Sequence, residues 1–218
     1  MPIIDLSHTI QHGQTTYKGL PPVHICDYLS REESKSLYAE GTSFQIDMLT
    51  MVGNSGTYID SPFHRYADGD DLSTLALETT TNLPALVIRA PYSCNWHAID
   101  EDTLDGKDFK NKAVLFDTGW SKKFGSDTYM EKHPFLTKAT ARALEKGGAV
   151  LVGIDSHNID DIRLNERPVH SILLKSAIPI VEHLTNLSAL PDQGFKFYAA
   201  PLKIKAVGTF PTRAYAIL

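Results

Sequence analysis

The sequence predicts a mixed α/β domain, because strand-like and helix-like segments are interleaved while the N-terminal third is rich in strands and poor in helices. This uneven distribution argues against a doubly wound parallel sheet. Neither GxGxxG nor GxxxxGK(S/T) occurs, so the sequence gives no support for dinucleotide or P-loop nucleotide binding. With 218 residues and no Gly/Ser-rich linker, we expect residues 1–218 to form a single domain.

The individual elements follow from local composition. Seven apolar, β-branched segments bounded by turn residues are predicted as strands, at residues 44–51, 83–88, 113–116, 150–154, 178–181, 195–200 and 215–218. Helical patterns cover residues 30–38, 137–146 and 170–176. Thr137 is expected to cap the second of these helices, and Gly147-Gly148 to end it.

The composition is that of an ordinary globular protein, with 42% hydrophobic and 22% charged residues. The net charge of −5 and the lack of a basic cluster argue against a nucleic-acid partner. No run approaches the roughly 20 apolar residues of a membrane helix, and the N-terminus lacks signal-peptide features. We therefore expect no membrane association and a cytoplasmic location. Cys26 and Cys94 show no CxxC pairing, and two buried free thiols are expected.

The densest polar run, residues 53–64, follows an apolar stretch and is expected to leave the end of a strand. Tyr58 and Asp60 stand at even positions, which share one face of an extended backbone. Pro62 allows the chain to bend and bring His64 back toward Asp60. A carboxylate and an imidazole that converge can bind a divalent metal or perform acid–base chemistry. The run alone is equally consistent with Asp60 capping a turn and His64 lying on the surface.

A second run, residues 168–187, supplies another carboxylate and another imidazole. Glu182 interrupts an apolar strand, where an unpaired buried carboxylate is costly. A metal would compensate for that cost, and His170, twelve positions upstream, could be its co-ligand. The spacing alone leaves open that Glu182 ends its strand in water and that His170 caps a helix.

Together the two runs resemble the cyclase-like metal-dependent amide hydrolases, the family of bacterial kynurenine formamidase and isatin hydrolase. The family pattern HxGTHxDxPxH reads NSGTYIDSPFH at residues 54–64, and the later IPIVENLTNL reads IPIVEHLTNL at residues 178–187. Further blocks of similarity lie at residues 5–7, 117–120, 152–155, 170–174, 201–203 and 213–214. The resemblance therefore extends over nearly the whole length.

The resemblance implies a fold in which a mixed, barrel-like β-sheet is surrounded by helices. It also implies a homodimer or homotetramer, in which residues 31–40 could form an exposed lid or an arm over a neighbouring subunit. One divalent metal, Zn or Mn, would be held by Asp60, His170 and Glu182. Asn54 and Tyr58 stand where the family has two metal-binding histidines, so only one of the family's two metal sites is expected to remain.

The leading functional hypothesis is hydrolysis of a small amide, formamide or cyclic amide at one divalent metal. His64, which matches the family's catalytic histidine, would act as general base and then as general acid beside Asp60. Tyr58 would donate a hydrogen bond to the developing oxyanion. The expected contacts to the small-molecule substrate are Tyr17, Asn54 and Thr57.

Two alternatives stay open. In the first, the metal is absent and His64, Asp60 and Tyr58 carry out an acid–base hydrolase or lyase reaction. In the second, the protein is a non-catalytic small-molecule-binding member of the family.

Further polar residues are expected beside the site or at the surface. His157 follows a predicted strand end and could line the pocket, and His183 could support the site. Arg213 is expected to neutralise a buried carboxylate. The loops at residues 15–22 and 154–163 are expected to determine pocket specificity. Five histidines are expected at the surface, namely His8, His12, His24, His97 and His133.

Overall fold

The computed structural model describes residues 1–93 and 97–218 of the chain. Within these residues the chain forms β1 (Ile3–Asp5), β2 (His24–Leu29), α1 (Arg31–Ser34), β3 (Ile46–Thr50), β4 (Tyr58–Asp60), β5 (Leu83–Arg89), β6 (Ala98–Ile99), β7 (Ala113–Asp117), β8 (Phe135–Leu136), α2 (Lys138–Gly147), β9 (Leu151–Ile154), α3 (Pro168–Lys175), β10 (Ile180–Glu182), β11 (Gln193–Tyr198), β12 (Thr209–Pro211) and β13 (Tyr215–Ile217).

Nine of these strands form one curled half-barrel sheet, in the order β1-β13-β11-β5-β7-β9-β10-β4-β12. The central strands β5, β7, β9 and β10 run parallel to one another. The strands on either side of them pair antiparallel. The mixed, barrel-like sheet that the family resemblance implied is therefore confirmed, and the helices beside it are few.

The central strands of the sheet are buried on both faces. Along β7, Val114 and Phe116 pack in the cluster that contains residues of α2 and α3, whereas Ala113 and Leu115 pack in a second cluster. Successive side chains of a strand point to opposite faces, so the two clusters lie on opposite sides of the sheet. Packing on both sides fixes the strand ends from which the site is built.

Predicted and observed elements agree for all seven long apolar segments, which become β3, β5, β7, β9, β10, β11 and β13. At α2, the Thr137 hydroxyl accepts a hydrogen bond from the Thr140 N–H, and Gly148 ends the helix at φ +80°. The first helix is shorter than predicted, since α1 spans only Arg31–Ser34. Among the described helices, none has the length and apolar composition needed to cross a bilayer.

β2 and β3 pair antiparallel in a separate two-stranded hairpin. Its apolar side chains are largely exposed, with Tyr28 74%, Leu49 52% and Met48 48% exposed. Cys26 on β2 is half-buried, so the expectation of a buried thiol is wrong for it, because the hairpin does not belong to the core. Cys94 lies outside the described residues.

Candidate functional site

The short strand β4 organises the site. It lies between β10 and β12, and all three of its residues are fully buried. The pairing places Tyr58 opposite Glu182 and Asp60 opposite Thr209. Residues directly opposite in antiparallel strands share a face, and so do residues two apart in one strand. The strand therefore brings a phenol, two carboxylates and a hydroxyl together.

Asp60 is a fully buried carboxylate with one oxygen left unpaired. Its Oδ1 accepts a hydrogen bond from the Thr209 hydroxyl. Its Oδ2 has no hydrogen-bond partner among the described residues, and it lies 3.6 Å from Nε2 of His170. An anionic oxygen buried without a donor is costly, so this position favours a cation.

His170 lies in the first turn of α3 and is held by Asp160. The Asp160 carboxylate accepts hydrogen bonds from the backbone N–H groups of Val169 (2.8 Å) and His170 (3.0 Å) and from His170 Nδ1 (2.6 Å). Nε2 therefore faces Asp60 at 3.6 Å and Glu182 at 3.9 Å. Burial lowers the pKa of His170, but the hydrogen bond to Asp160 and the negative charges of Asp60 and Glu182 outweigh burial and raise this pKa well above its ordinary value. The surroundings of Nε2 thus stabilise positive charge, whether a proton or a metal ion.

His64 ends the short 3-10 helix Pro62–His64, which turns the chain back after β4. Its side chain is 36% exposed, and Nδ1 lies 2.6 Å from Thr209 Oγ1. Because the Thr209 hydroxyl donates to Asp60, it accepts from Nδ1–H of His64, which leaves Nε2 as the basic nitrogen. Gly208 permits this approach, since a Cβ there would lie 2.4 Å from the backbone nitrogen of His64.

Glu182 ends β10 and is buried, and both of its oxygens accept hydrogen bonds. Oε2 accepts from the Tyr58 hydroxyl and Oε1 from the backbone N–H of Ile159 at 2.6 Å. Burial, partly offset by the charge of His170, raises the pKa of Glu182 to about 7. Burial and the charge of Glu182 also raise the pKa of Tyr58 well above its ordinary value, so the phenol remains a hydrogen-bond donor. The Tyr17 hydroxyl extends this network, 2.8 Å from that of Tyr58.

The residues present fit a divalent metal. Asp60, His64 and His170 each offer a ligand atom, and these atoms lie within 4.8 Å of one another. Glu182 is adjacent, with Oε1 3.9 Å from His170 Nε2. A set of carboxylate oxygens and imidazole nitrogens suits zinc, manganese or iron. The unpaired oxygen of Asp60 and the Asp160-oriented imidazole are the two features that a cation would complete.

Two cavities open beside this cluster. The smaller, about 530 Å³, is lined in part by His64 and His170. The larger, about 840 Å³, is lined in part by Tyr17 and His157, whose rings are 4.4 Å apart. Both loops that we expected to determine specificity contribute to the lining of the larger cavity. The site can therefore reach a compartment large enough for a small organic molecule.

The two other expected substrate contacts have different surroundings. Thr57 is buried, and its hydroxyl donates to the carbonyl of His183 (2.6 Å) and accepts from the N–H of His8 (2.9 Å). It thereby joins the N-terminal segment to the end of β10. Asn54 is half-buried in the loop before β4. Substrate binding by Asn54 and Thr57 stays a prediction.

Two expectations outside the cluster are wrong. His133 is fully buried rather than at the surface, and burial lowers its pKa to about 4. Arg213 pairs with Asp5 at 2.7 Å, but the side chain of Asp5 is 45% exposed, so the carboxylate is not a buried one. By contrast, His157 is buried and lines the larger cavity, as its position after a strand end suggested.

Sequence reasoning missed two residues of the site, Asp160 and Thr209. Asp160 stands in an Asp-Asp-Ile-Arg segment that is typical of a solvated loop, yet it is fully buried. Thr209 is far from Asp60 in sequence and reaches it only because β12 pairs with β4. The one available signal was that a buried His170 needs an acceptor for its second ring nitrogen.

The fold and the site define an α/β half-barrel protein with a buried carboxylate–imidazole cluster suited to a divalent metal. Residues 4–161 match the family described as "Putative cyclase", and the chain belongs to this family.

Individual relatives cover nearly the whole chain. The kynurenine formamidase of Geobacillus thermodenitrificans is 27% identical over 215 residues, which are 98% of this chain and 96% of the relative. That of Bacillus cereus is 27% identical over 212 residues, 97% of this chain and 95% of the relative. Similar solved structures include an isatin hydrolase bound to the product analogue thioisatinate, with a TM-score of 0.80 and 22% sequence identity. The match covers 99% of this chain and 92% of the isatin hydrolase chain. A potential metal-dependent hydrolase with cyclase activity has a TM-score of 0.79, 24% identity, and 99% and 96% coverage. The solved structures confirm the fold.

Proposed function

We propose that this chain hydrolyses a small amide, formamide or cyclic amide with the help of one divalent metal. The names of its relatives, kynurenine formamidase and isatin hydrolase, support an amide substrate. The observation that carries the proposal is the buried Oδ2 of Asp60, which lacks a donor among the described residues and lies 3.6 Å from His170 Nε2. A carboxylate oxygen and an imidazole nitrogen placed in this way are suited to share a cation.

The ligands in this proposal are Asp60, His170 and Glu182, and the metal is zinc or manganese. A divalent cation held there would polarise the amide carbonyl and lower the pKa of water toward neutrality. Asp160 keeps Nδ1 of His170 occupied and so presents Nε2 to the site. Glu182 is held in place by Tyr58 and by the backbone of Ile159.

His64 is the proposed proton-transfer residue. Its exposed side chain lines the smaller cavity, and the bond from Nδ1–H to Thr209 leaves Nε2 to accept a proton from the attacking water. The chain from His64 through Thr209 to Asp60 would stabilise the imidazolium formed in that step. The same nitrogen would then give the proton to the leaving nitrogen of the amide, which departs as an amine while the acyl group becomes a carboxylate.

Tyr58 has two parts in the proposal. Its hydroxyl first holds Glu182, to which it donates in this structure. When the amide carbonyl gains negative charge, the same proton would be shared with the oxyanion. The raised pKa of Tyr58 supports this role, because the phenol then keeps its proton. Tyr17, whose hydroxyl lies 2.8 Å from that of Tyr58, would contact the substrate from the larger cavity.

The experiment that tests the proposal is elemental analysis combined with an amide-hydrolysis assay. We expect about one equivalent of zinc or manganese per chain, lost in the double variant His170→Ala, Glu182→Ala. His64→Gln should keep the metal and lose at least about 100-fold in kcat, since a positioned general base contributes on this scale. His24→Gln, which changes an exposed histidine on the β2–β3 hairpin, is the matched control and should change neither value.

Other outcomes identify the alternatives. Loss of the metal in His64→Gln would make His64 a ligand and remove it as general base. The absence of metal from every variant, even after supplementation, would contradict the metal-dependent mechanism. Activity that persists without metal would then indicate acid–base hydrolase or lyase chemistry through His64, Asp60 and Tyr58. No activity at all would indicate a small-molecule-binding protein.

We also propose that the chain assembles as a homodimer or homotetramer. The support comes from the β2–β3 hairpin, whose two faces both carry exposed apolar side chains. Met48 and Leu49 are adjacent in β3, so they point to opposite sides, and they are 48% and 52% exposed. An isolated two-stranded hairpin is marginally stable in water, and a second copy of the chain would cover it.

A further inference from the structure

The two cavities beside the site share two lining residues, Asn158 and Arg167. The smaller cavity contains His64 and His170, where the amide of a substrate would react. The larger contains the rings of Tyr17 and His157. Asn158 and Arg167 therefore lie between the two cavities.

Asn158 has little hydrogen-bonding capacity left for a ligand. Its Oδ1 accepts from the backbone N–H of Asp160 at 2.9 Å, and its Nδ2 donates to the Tyr17 hydroxyl at 3.0 Å. Only 8% of the residue is exposed. Its contacts position Tyr17 and the Asp160 segment, so Asn158 forms part of the wall between the cavities.

Arg167 differs from Asn158 because most of its donors remain available. Nη1 donates to the carbonyls of Leu164 (2.5 Å) and Glu166 (2.8 Å), which fixes the guanidinium on its own loop. Among the described residues, no carboxylate lies within ion-pair distance of it and neither Nε nor Nη2 has a partner. By comparison, Arg89 and Arg213 each pair with an aspartate at 2.7 Å.

A guanidinium fixed at one end, with Nε and Nη2 on one edge, matches the geometry of a carboxylate. The overall charge of the larger cavity does not select an anion, because Lys18 and Arg167 are balanced there by Asp127 and Glu131. Selection would therefore depend on direct hydrogen bonds to the guanidinium. Arg167 is also the N-cap residue of α3, three positions before His170, so its position is tied to that of the site.

We propose that Arg167 is a specificity residue that binds a carboxylate carried by the substrate. This inference rests on the proposed amide hydrolysis. The substrate class is then an amide with a flat apolar part and a separate carboxylate. The amide lies against His64 and His170, the flat part lies against Tyr17 and His157, and the carboxylate is held at the junction.

The test compares a carboxylate with its uncharged amide analogue in a binding assay that does not require turnover. By calorimetry on the metal-loaded protein, 2-aminobenzoate should bind at least tenfold more tightly than 2-aminobenzamide. Arg167→Gln should lose at least tenfold in affinity for 2-aminobenzoate and keep its affinity for 2-aminobenzamide. Arg167→Lys keeps the positive charge but lacks the paired N–H donors of a guanidinium, so it should lose less affinity for 2-aminobenzoate. Arg142→Gln, an exposed arginine on α2, is the matched control and should bind both compounds as the wild type does.

Equal affinity of the wild type for the two compounds, or unchanged 2-aminobenzoate binding in Arg167→Gln, would overturn the assignment. An equal loss of affinity for both compounds in Arg167→Gln would also overturn the assignment, since that outcome indicates a structural role for Arg167. A parallel assay with formanilide and 2-formamidobenzoate separates this inference from the proposed function. Absence of turnover of either amide, with Arg167-dependent carboxylate binding retained, would contradict the hydrolysis and support the binding site. Turnover of both amides with equal KM in wild type and Arg167→Gln would support the hydrolysis and overturn the binding site.

Discussion

Asp160 determines which nitrogen of His170 is available to a ligand. It accepts three hydrogen bonds, from Nδ1 and the backbone N–H of His170 and from the backbone N–H of Val169. We expect Asp160→Asn to weaken metal binding by about 10- to 100-fold, because a neutral amide no longer stabilises the charge that the metal draws from the imidazole. The measurement is competition with a chelator of known affinity.

Asp161→Asn is the matched control for this prediction. Asp161 is the next residue along the chain, and its carboxylate pairs with Arg163 rather than with the site. Its substitution should leave metal affinity unchanged. Equal affinity in the wild type and in Asp160→Asn would contradict the role assigned to Asp160.

At the residue scale, the family resemblance named Asp60, His170 and Glu182 as one set of ligands. The residues alone indicated only that Glu182, within an apolar strand, needs a partner for its carboxylate. The sequence did not predict Asp160 or Thr209. The chemistry of those two residues comes from contacts made across the fold, and their local sequence is typical of an ordinary loop and an ordinary strand. A polar residue within an apolar segment indicates a site, because its burial needs a compensating partner. A polar residue in an ordinary segment gives no such indication when its function depends only on tertiary contacts.

At the scale of elements, the sequence predicted the strands with a strong apolar pattern and missed six others, namely β1, β2, β4, β6, β8 and β12. β4 has three residues, too few to show a periodicity, yet its pairing with β10 and β12 assembles most of the site. β1 and β12 are equally short and are defined by their partners. Long-range pairing, which no local pattern encodes, determines where such strands begin and end.

The β2–β3 hairpin is the element whose exposed surface bears on assembly. If a second copy covers it, a charge placed on β3 should prevent assembly, because burying a lysine against apolar side chains is costly. We expect light scattering to give a mass of two or four chains for the wild type and of one chain for Met48→Lys. Leu77→Lys changes a 61% exposed leucine outside the hairpin and should keep the wild-type mass. A single-chain mass for the wild type would contradict the prediction.

At the scale of the whole molecule, the family resemblance does not predict which histidines are buried. The fold follows from patterns spread over the chain, but His133 and His157 are buried because Tyr129, Ser156 and the strand ends enclose them. Nothing in the polar sequence around His133 distinguishes it from the exposed His24. The consequence is a molecule whose stability depends on keeping several imidazoles neutral, and this dependence can be measured.

His157 provides the clearest case. Burial lowers its pKa to about 3, whereas an unfolded chain titrates near the ordinary value of 6.5. Below about pH 6.5 the unfolded state binds a proton that the folded state does not, so the stabilising contribution of His157 is present above that pH and is lost as the pH falls. Glu182 and Asp155, whose pKa values burial raises, act in the opposite direction, and only a single substitution isolates the histidine.

We therefore expect His157→Phe to reduce the acid sensitivity of folding. Between pH 7 and pH 5, the wild type should lose about 2 kcal/mol more unfolding free energy than the variant, which is the linkage expected for one histidine kept neutral in the fold. Urea titrations at pH 7, 6 and 5 measure the difference, and His24→Phe on the exposed hairpin should follow the wild type. Parallel curves for wild type and His157→Phe would show that His157 takes up its proton in the folded state, and the burial of this imidazole would then have no energetic consequence between pH 7 and pH 5.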